Sequence, residues 1–214
     1  MRTEWLIRRE IAAAGRRLHA RGLIAGTDGN MSVRLLPERF LVTPAGSALN
    51  ELRPEDLLYV DAEATVLARP TPGARPTSEL PMHLAAYTAR ADIGAVIHAH
   101  PPGTTALTLA GLSLADPILP ETLLGFGEVP TAPYATPSTD AGASAIREPI
   151  RTHDALLLER HGAVTVGRDL AEALHRMEQL EQAARIVLAA HAAGPLRLLP
   201  PDEVARLRGM RAPR

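Results

Sequence analysis

The stretch Val96-Ile97-His98-Ala99-His100-Pro101-Pro102 constrains most strongly how this chain can fold. In a β-strand, successive side chains point to opposite faces, so His98 and His100 should project side by side from one face. A Pro-Pro pair follows, and because proline has no N–H for a ladder, the strand should end there. The two imidazoles then lie at a strand end, either as metal ligands or as a hydrogen-bonded structural pair.

Composition bounds the class of protein. The 214 residues with 46% hydrophobic content predict one domain over residues 1–214 with a sizeable core. A net charge of -1 gives no reason to invoke nucleic acid or a membrane surface as a partner. No apolar run approaches the roughly 18 residues that span a bilayer, and residues 1–5 lack the apolar core of a signal peptide. We therefore expect a cytoplasmic protein.

Two absent residue types narrow the chemistry further. The chain has no cysteine, which excludes disulfides, thiolate ligands and cysteine nucleophiles. All 23 basic residues are arginine, which excludes a lysine Schiff base and a covalently held pyridoxal phosphate. Any transition metal must be held by histidine and carboxylate, and carbonyl chemistry would need such a metal.

Periodicity and turn residues predict alternating helices and strands. The predicted helices cover residues 5–21, 79–90, 104–112 and 169–191, with shorter ones after 138 and from 200, and the predicted strands cover 30–34, 40–43, 58–61, 66–68, 96–100, 155–159 and 163–166. No internal repeat or domain boundary interrupts this pattern. The long helix at 169–191 is a core or subunit-packing element.

Two other segments carry polar groups that suit a site. The glycine-rich stretch 26–34 allows positive φ and converging N–H groups, as an anion such as phosphate prefers, although a plain turn explains it equally simply. Thr77 or Ser78 should cap the helix that Glu79 begins. Glu79 is then either a first-turn acid favoured by the helix dipole or a functional carboxylate.

The remaining histidines complete the candidate site. His161 sits in a turn between two strands, followed by Gly162, which lets the backbone approach closely. Alone, His161 is best explained as an exposed turn residue, but with His98 and His100 it makes three imidazoles, as in a catalytic zinc site with an open position. Glu79 is the best-placed carboxylate to join them as ligand or as acid and base. His83, one helical turn after Glu79, could share its face, but a lone helical histidine is more often a packed or outer residue than a ligand. Four other histidines are interpreted as surface or structural residues: His19, His153, His175 and His191.

Six motifs follow one another along the chain: Gly26-Thr27-Asp28-Gly29-Asn30-Met31-Ser32-Val33-Arg34, Thr43-Pro44-Ala45-Gly46, Pro76-Thr77-Ser78-Glu79, His98-Ala99-His100-Pro101, Pro133-Tyr134-Ala135-Thr136 and His161-Gly162. Taken together in order and approximate spacing, they resemble the class II aldolase/adducin family, most closely its bacterial L-fuculose-phosphate aldolase branch. The resemblance spans nearly the whole chain. It implies a single-domain α/β/α sandwich around a largely antiparallel central sheet, assembled as a homotetramer with active sites at subunit interfaces.

The resemblance also implies a reaction and its residues. His98, His100 and His161 would hold a divalent metal, most simply Zn²⁺, with Glu79 as acid, base and fourth ligand. A phosphate pocket would be formed by Thr27, Gly29, Asn30, Ala45, Gly46, Thr77 and Ser78. The expected activity is reversible retro-aldol cleavage of a short ketose 1-phosphate to dihydroxyacetone phosphate and an aldehyde. Alternatives within the family are a decarboxylase, a dehydratase, a 4-epimerase or a non-catalytic adducin-like scaffold.

Two positions depart from the family pattern. Ala45 stands where many relatives have serine, which removes a hydroxyl from the expected pocket and keeps the backbone N–H. The tyrosines that serve the aldehyde half in the family's aldolases have no counterpart between residues 112 and 125 or in the C-terminal tail. Glu121 is the substitute proton donor that the sequence offers.

Overall fold

The computed structural model describes residues 3–211 of the chain. Its strands are β1 (Asn30–Leu36), β2 (Arg39–Val42), β3 (Leu58–Asp61), β4 (Val66–Ala68), β5 (Ala95–Ala99), β6 (Thr131–Ala132), β7 (Ala155–Leu158) and β8 (Gly162–Gly167). Its α-helices are α1 (Glu4–Ala20), α2 (Leu80–Ala89), α3 (Pro102–Leu109), α4 (Pro120–Gly125), α5 (Asp140–Arg147), α6 (Leu170–Ala193) and α7 (Pro201–Met210). None of the helices in this range is both long and apolar enough to cross a membrane.

The strands form one sheet in the order β4-β3-β2-β1-β5-β8-β7-β6. Neighbours run antiparallel, except that β6 pairs with β7 in parallel. The predicted largely antiparallel sheet is confirmed, with this one parallel pair making it mixed. β5 lies at the centre, between β1 and β8, which explains why its five residues are all buried.

Helices cover both faces of the sheet, as the α/β/α prediction requires. Ile97 of β5 belongs to the core with Ile11 of α1 and Met177 of α6. Its neighbour Val96 belongs to the opposite core, with Ile146 of α5 and residues of α2. This alternation puts His98, two residues after Val96, on the face covered by α2 and α5.

The predicted helices are present, with shifted starts. Asp169 caps α6 by accepting a hydrogen bond from the Glu172 N–H at 2.9 Å, as expected of an N-cap aspartate. Helix α2 begins one residue later than predicted, with Glu79 as its N-cap and no side-chain cap. The prediction that Thr77 or Ser78 caps this helix was therefore wrong. The Thr77 hydroxyl accepts from the Glu79 N–H instead, at 3.3 Å.

A buried ion-pair network ties the helical layers to the sheet. Asp154, whose side chain is 3% exposed, accepts from Arg90 at the end of α2 at 2.7 Å. Its second carboxylate oxygen lies 3.1 Å from a guanidinium nitrogen of Arg176 on α6. Because α2 and α6 pack on opposite faces of the sheet, this carboxylate connects both layers.

Replacing Asp154 by alanine should lower the free energy of unfolding by about 2 kcal/mol. That is less than the roughly 3–5 kcal/mol of a fully broken buried pair, because Arg90 retains Asp92 and Arg176 retains Glu172 as ion-pair partners. Urea unfolding checks this value. The control is Glu203→Ala, which removes an exposed ion pair with Arg206 and should leave stability nearly unchanged. Equal stabilities for the two variants would contradict the prediction.

Candidate metal centre

His98 and His100 meet at the end of β5. The strand ends at Ala99 and α3 begins at Pro102, so the predicted effect of the Pro-Pro pair is confirmed. The Nε2 atoms of the two histidines lie 2.9 Å apart, which shows that the rings converge on one face. His98 is fully buried, whereas the His100 side chain is 28% exposed. The pair therefore forms one wall of a site that opens toward solvent.

His161 joins this pair from the turn between β7 and β8. Its ring centroid lies 4.6 Å from that of His98 and 4.9 Å from that of His100. Gly162 makes the approach possible, because a Cβ there would lie 2.3 Å from the Ala99 carbonyl oxygen. The predicted close backbone approach at Gly162 is confirmed.

Glu79 reaches the three histidines from the start of α2. One carboxylate oxygen, Oε2, lies 3.1 Å from His98 Nε2, and the other, Oε1, lies 3.6 Å from His161 Nε2. Oε2 also accepts a hydrogen bond from the side-chain amide of Asn30 at 2.9 Å. The structure thus brings together the four residues that the sequence analysis proposed as metal ligands.

The donor set of this cluster fits a divalent cation. One ligand atom from each of the four residues lies within 4.8 Å of the others. Two ligands held at about 2.0–2.1 Å in a tetrahedron are roughly 3.4 Å apart, a value that the observed contacts of 2.9, 3.1 and 3.6 Å bracket. The opposite ring nitrogens are occupied, because His98 Nδ1 donates to the Ala163 carbonyl at 2.9 Å and His100 Nδ1 faces Asp28 at 3.4 Å. Such outer partners orient metal-ligating histidines.

The charge states also suit metal binding, which needs neutral imidazoles and an ionised carboxylate. Burial, together with the neighbouring His98 ring, lowers the pKa of His161 to about 4. The same two causes lower the pKa of His100. Burial alone would raise the pKa of Glu79, but its contacts with His98, Asn30 and His161 outweigh burial and lower that pKa well below the ordinary value.

Only some of the residues expected to bind phosphate lie next to Glu79. Asn30 and Thr77 contact Glu79, and the Ser78 hydroxyl lies 2.7 Å from that of Ser138. Ala45 donates its N–H to the Arg75 carbonyl at 2.9 Å, so this N–H, which the sequence analysis kept for the anion, is engaged within the chain.

The other expected phosphate residues lie in two turns, one after α1 and one after β2. Gly29 has φ +77°, which glycine adopts readily. A Cβ there would also lie 3.0 Å from the His98 carbonyl oxygen, so both the backbone conformation and the available space favour glycine. Thr27 is exposed in the turn after α1, and Gly46 is exposed in the turn after β2 with φ +70°. Both remain accessible to an anion.

Asp28 faces His100 at 3.4 Å, a contact that the sequence analysis missed. His83 lies four residues after Glu79, and its buried ring contacts Asn30 rather than the cluster itself, as expected of a packed or outer partner. Glu121 lines a cavity of about 480 Å³ with residues of α6, and none of the four cluster residues lines that cavity. The structure therefore does not bring the suggested proton donor to the cluster within one chain.

Replacing Gly162 by alanine should displace His161, because the new methyl group would meet the Ala99 carbonyl and the His100 Cα. We expect a stability loss of about 2 kcal/mol from overpacking and a weakening of Zn²⁺ binding by about 10-fold or more. Thermal unfolding and competition with a chromophoric chelator measure the two effects. The control is Gly209→Ala in α7, where a Cβ meets nothing within 4 Å. Wild-type zinc affinity in Gly162→Ala would contradict the prediction.

Comparison with known proteins places this chain in a family. The model of the class II aldolase and adducin N-terminal domain matches residues 9–188. The chain therefore belongs to the class II aldolase/adducin family, and the family prediction is confirmed.

Individual relatives cover almost the whole chain. A 3-oxo-tetronate 4-phosphate decarboxylase of Escherichia coli is 34% identical over 211 residues, which is 97% of this chain and 97% of the relative. A 5-deoxy-D-ribulose 1-phosphate aldolase of Bacillus thuringiensis is 34% identical over 203 residues, 94% of this chain and 92% of the relative. The crystal structure of a putative aldolase/epimerase/decarboxylase from Escherichia coli has a TM-score of 0.87 at 33% identity, covering 97% of this chain and 100% of that one.

Proposed function

We propose that this protein is a divalent-cation-dependent lyase that cleaves the bond between the α- and β-carbons of the ketone in a short phosphorylated substrate and leaves dihydroxyacetone phosphate. The observation that carries the proposal is the convergence of Glu79 with His98, His100 and His161 at the solvent-facing end of a central strand. These four residues would hold the cation, for which Zn²⁺ is the first choice by ligand type. When bound, a divalent cation supplies Lewis-acid stabilisation of negative charge on the substrate ketone oxygen.

The chain's own groups have separate tasks in this proposal. Glu79 moves a proton to or from the substrate carbon that loses its neighbour, because its carboxylate contacts both His98 and His161. Ser78 and Thr27 offer hydroxyls, and Gly46 a backbone N–H, to the phosphate. Binding the phosphate away from the reacting bond fixes the ketone against the histidines.

Carbon dioxide is the leaving group that we favour. In a 3-oxo-tetronate 4-phosphate, the bond between C1 and C2 breaks, its electron pair enters an enediolate over C2 and C3, and C2 then takes a proton. The products are carbon dioxide and dihydroxyacetone phosphate. This route requires no proton transfer at a leaving aldehyde, which agrees with the position of Glu121 away from the cluster. It is also the activity in the name of a relative that matches 97% of the chain.

Aldol cleavage is the second candidate, favoured by the 34% identity to a 5-deoxy-D-ribulose 1-phosphate aldolase. Here the hydroxyl next to the broken bond loses its proton as the aldehyde leaves, while the other product again passes through an enediolate. The group that accepts this proton, and returns it in the reverse reaction, would come from a neighbouring subunit of the proposed homotetramer. Light scattering on the purified protein measures its assembly mass directly.

One assay separates the two leaving groups. The zinc-loaded protein is incubated with 3-oxo-tetronate 4-phosphate or with 5-deoxy-D-ribulose 1-phosphate, and dihydroxyacetone phosphate is detected through NADH oxidation by glycerol-3-phosphate dehydrogenase. We expect turnover of the keto acid with stoichiometric carbon dioxide. Turnover of the ketose phosphate alone would favour the aldolase. No product from either substrate or from a panel of other ketose 1-phosphates would overturn the lyase proposal and favour an adducin-like scaffold.

A further inference from the structure

A chain of buried polar side chains runs from the core to Glu79. The Tyr87 hydroxyl lies 2.9 Å from the Ser32 hydroxyl, which lies 2.7 Å from His83 Nδ1. His83 Nε2 lies 2.6 Å from Asn30 Oδ1, and Asn30 Nδ2 lies 2.9 Å from Glu79 Oε2. We call Tyr87, Ser32, His83 and Asn30 the buried polar chain, since none of the four is more than 6% exposed.

Two simple periodicities build this arrangement. Asn30 and Ser32 are two residues apart on β1 and project from the same face of the sheet. His83 and Tyr87 are four residues apart on α2 and project from the same side of that helix. Strand and helix therefore present alternate members of the chain to each other, along the surface where α2 packs on the sheet.

The hydrogen bonds of the chain can run in only one direction. The ionised carboxylate of Glu79 is an acceptor, so the NH₂ group of Asn30 must face it and the Asn30 carbonyl must face His83. That carbonyl is also an acceptor, so His83 carries its proton on Nε2 and accepts at Nδ1. Ser32 then donates to His83, and Tyr87 donates to Ser32. Every donor points toward Glu79.

His83 stays uncharged in this environment, which the single direction requires. Burial lowers the pKa of His83 to about 3, so the ring keeps one donor and one acceptor at neutral pH. The amide of Asn30 interrupts the chain of exchangeable protons, because passing a proton through an amide would require its high-energy imidic-acid form. The buried polar chain can therefore orient a carboxylate, but it cannot conduct a proton to it.

We propose that the buried polar chain is a positioning device, in which Tyr87, Ser32 and His83 lock the amide of Asn30 so that it holds the Glu79 carboxylate against the histidine cluster. The inference rests on the proposed role of Glu79. The three outer residues act through Asn30 and touch neither metal nor substrate. Their loss should therefore loosen Glu79 without removing a ligand.

The first test concerns the direction of the chain and needs no activity. In metal-free protein with ¹⁵N-labelled histidine, long-range proton–nitrogen NMR spectra should show His83 as the neutral tautomer protonated at Nε2. The resonance is assigned by its disappearance in His83→Gln. A ring protonated at Nδ1, or a charged ring at neutral pH, would overturn the proposed direction.

The second test compares variants that each remove one buried hydroxyl. Ser32→Ala should weaken Zn²⁺ binding and lower kcat by about 10-fold each, the lower end of what loss of an outer partner does at metal sites, with a smaller change in KM. Tyr87→Phe, one step farther from Glu79, should have a smaller effect, and Ser32→Thr should restore wild-type values. The control is Thr165→Val on β8, whose hydroxyl donates to the Ala173 carbonyl at 2.8 Å and has no link to Glu79.

The outcomes separate this inference from the proposed function. If Ser32→Ala matches Thr165→Val in zinc affinity and kcat, the buried polar chain is only a packing feature and the inference fails. If Ser32→Ala and Tyr87→Phe lose affinity in proportion to lost stability rather than to distance from Glu79, it fails as well. If Glu79→Gln itself retains wild-type turnover, the proposed proton-transfer role of Glu79 fails, whatever the outer variants show.

Discussion

Replacing Glu79 by glutamine should lower kcat by about 10³-fold, within the range that positioned acid–base groups contribute. Glutamine keeps the size of the side chain and an oxygen that accepts from Asn30, but it has no proton to move. The three histidines remain, so the variant should still bind zinc. The measurement is steady-state turnover of 3-oxo-tetronate 4-phosphate together with metal content by mass spectrometry.

The matched control is Glu128→Gln, because Glu128 is exposed, pairs with Arg208 and lies away from the cluster. It should keep wild-type kcat. A zinc-replete Glu79→Gln protein with kcat within 10-fold of wild type would contradict the proton-transfer role. A variant that loses both zinc and turnover would assign Glu79 to metal binding before proton transfer.

The sequence was sufficient for those parts of the site that depend on local geometry. His98 lies on β5 and His100 one residue past its end, so the alternation of extended backbone puts both on one face. The Pro-Pro pair ends that strand because proline lacks an N–H. Gly162 permits the approach of His161 for a steric reason that is local to the turn.

Other parts depend on contacts between distant segments. The Ala45 N–H donates to the carbonyl of Arg75, thirty positions later in the chain, next to the β-bridge between Pro44 and Pro76. The Thr77 hydroxyl accepts from the Glu79 N–H and does not cap α2, because Glu79 itself occupies the N-cap position. Short-range propensity does not decide between such partners.

The buried polar chain is the clearest case of contacts that short-range sequence patterns do not predict. Each half follows a periodicity that is visible in the sequence, but the pairing of β1 with α2 is tertiary. The family resemblance implied a phosphate-binding role for Asn30 and gave no indication that its amide oxygen and nitrogen bond His83 and Glu79. Similarly, Glu121 was chosen by residue type, and its location beside α6 became apparent only from the fold.

Replacing His98 by alanine should remove the metal and the activity together. His98 is fully buried, contacts both His100 and Glu79 through Nε2, and is oriented by the Ala163 carbonyl. The loss in zinc affinity should exceed the roughly 10–100-fold that an outer partner contributes. Chelator competition measures this affinity directly. Added zinc should raise the melting temperature of the wild type, since a ligand that binds only the folded state stabilises it, but not that of the variant.

Two further variants keep this prediction decisive even where a buried alanine disturbs folding. His100→Ala alters a partly exposed side chain of the same cluster and should lose zinc in the same way. His175→Ala alters an exposed histidine of α6 outside the cluster and should keep wild-type affinity and turnover. A folded, metal-free His98→Ala or His100→Ala protein that retained full activity would show that the reaction needs no metal at this cluster. The three histidines would then be a structural group, the alternative that the His-x-His pattern left open at the start.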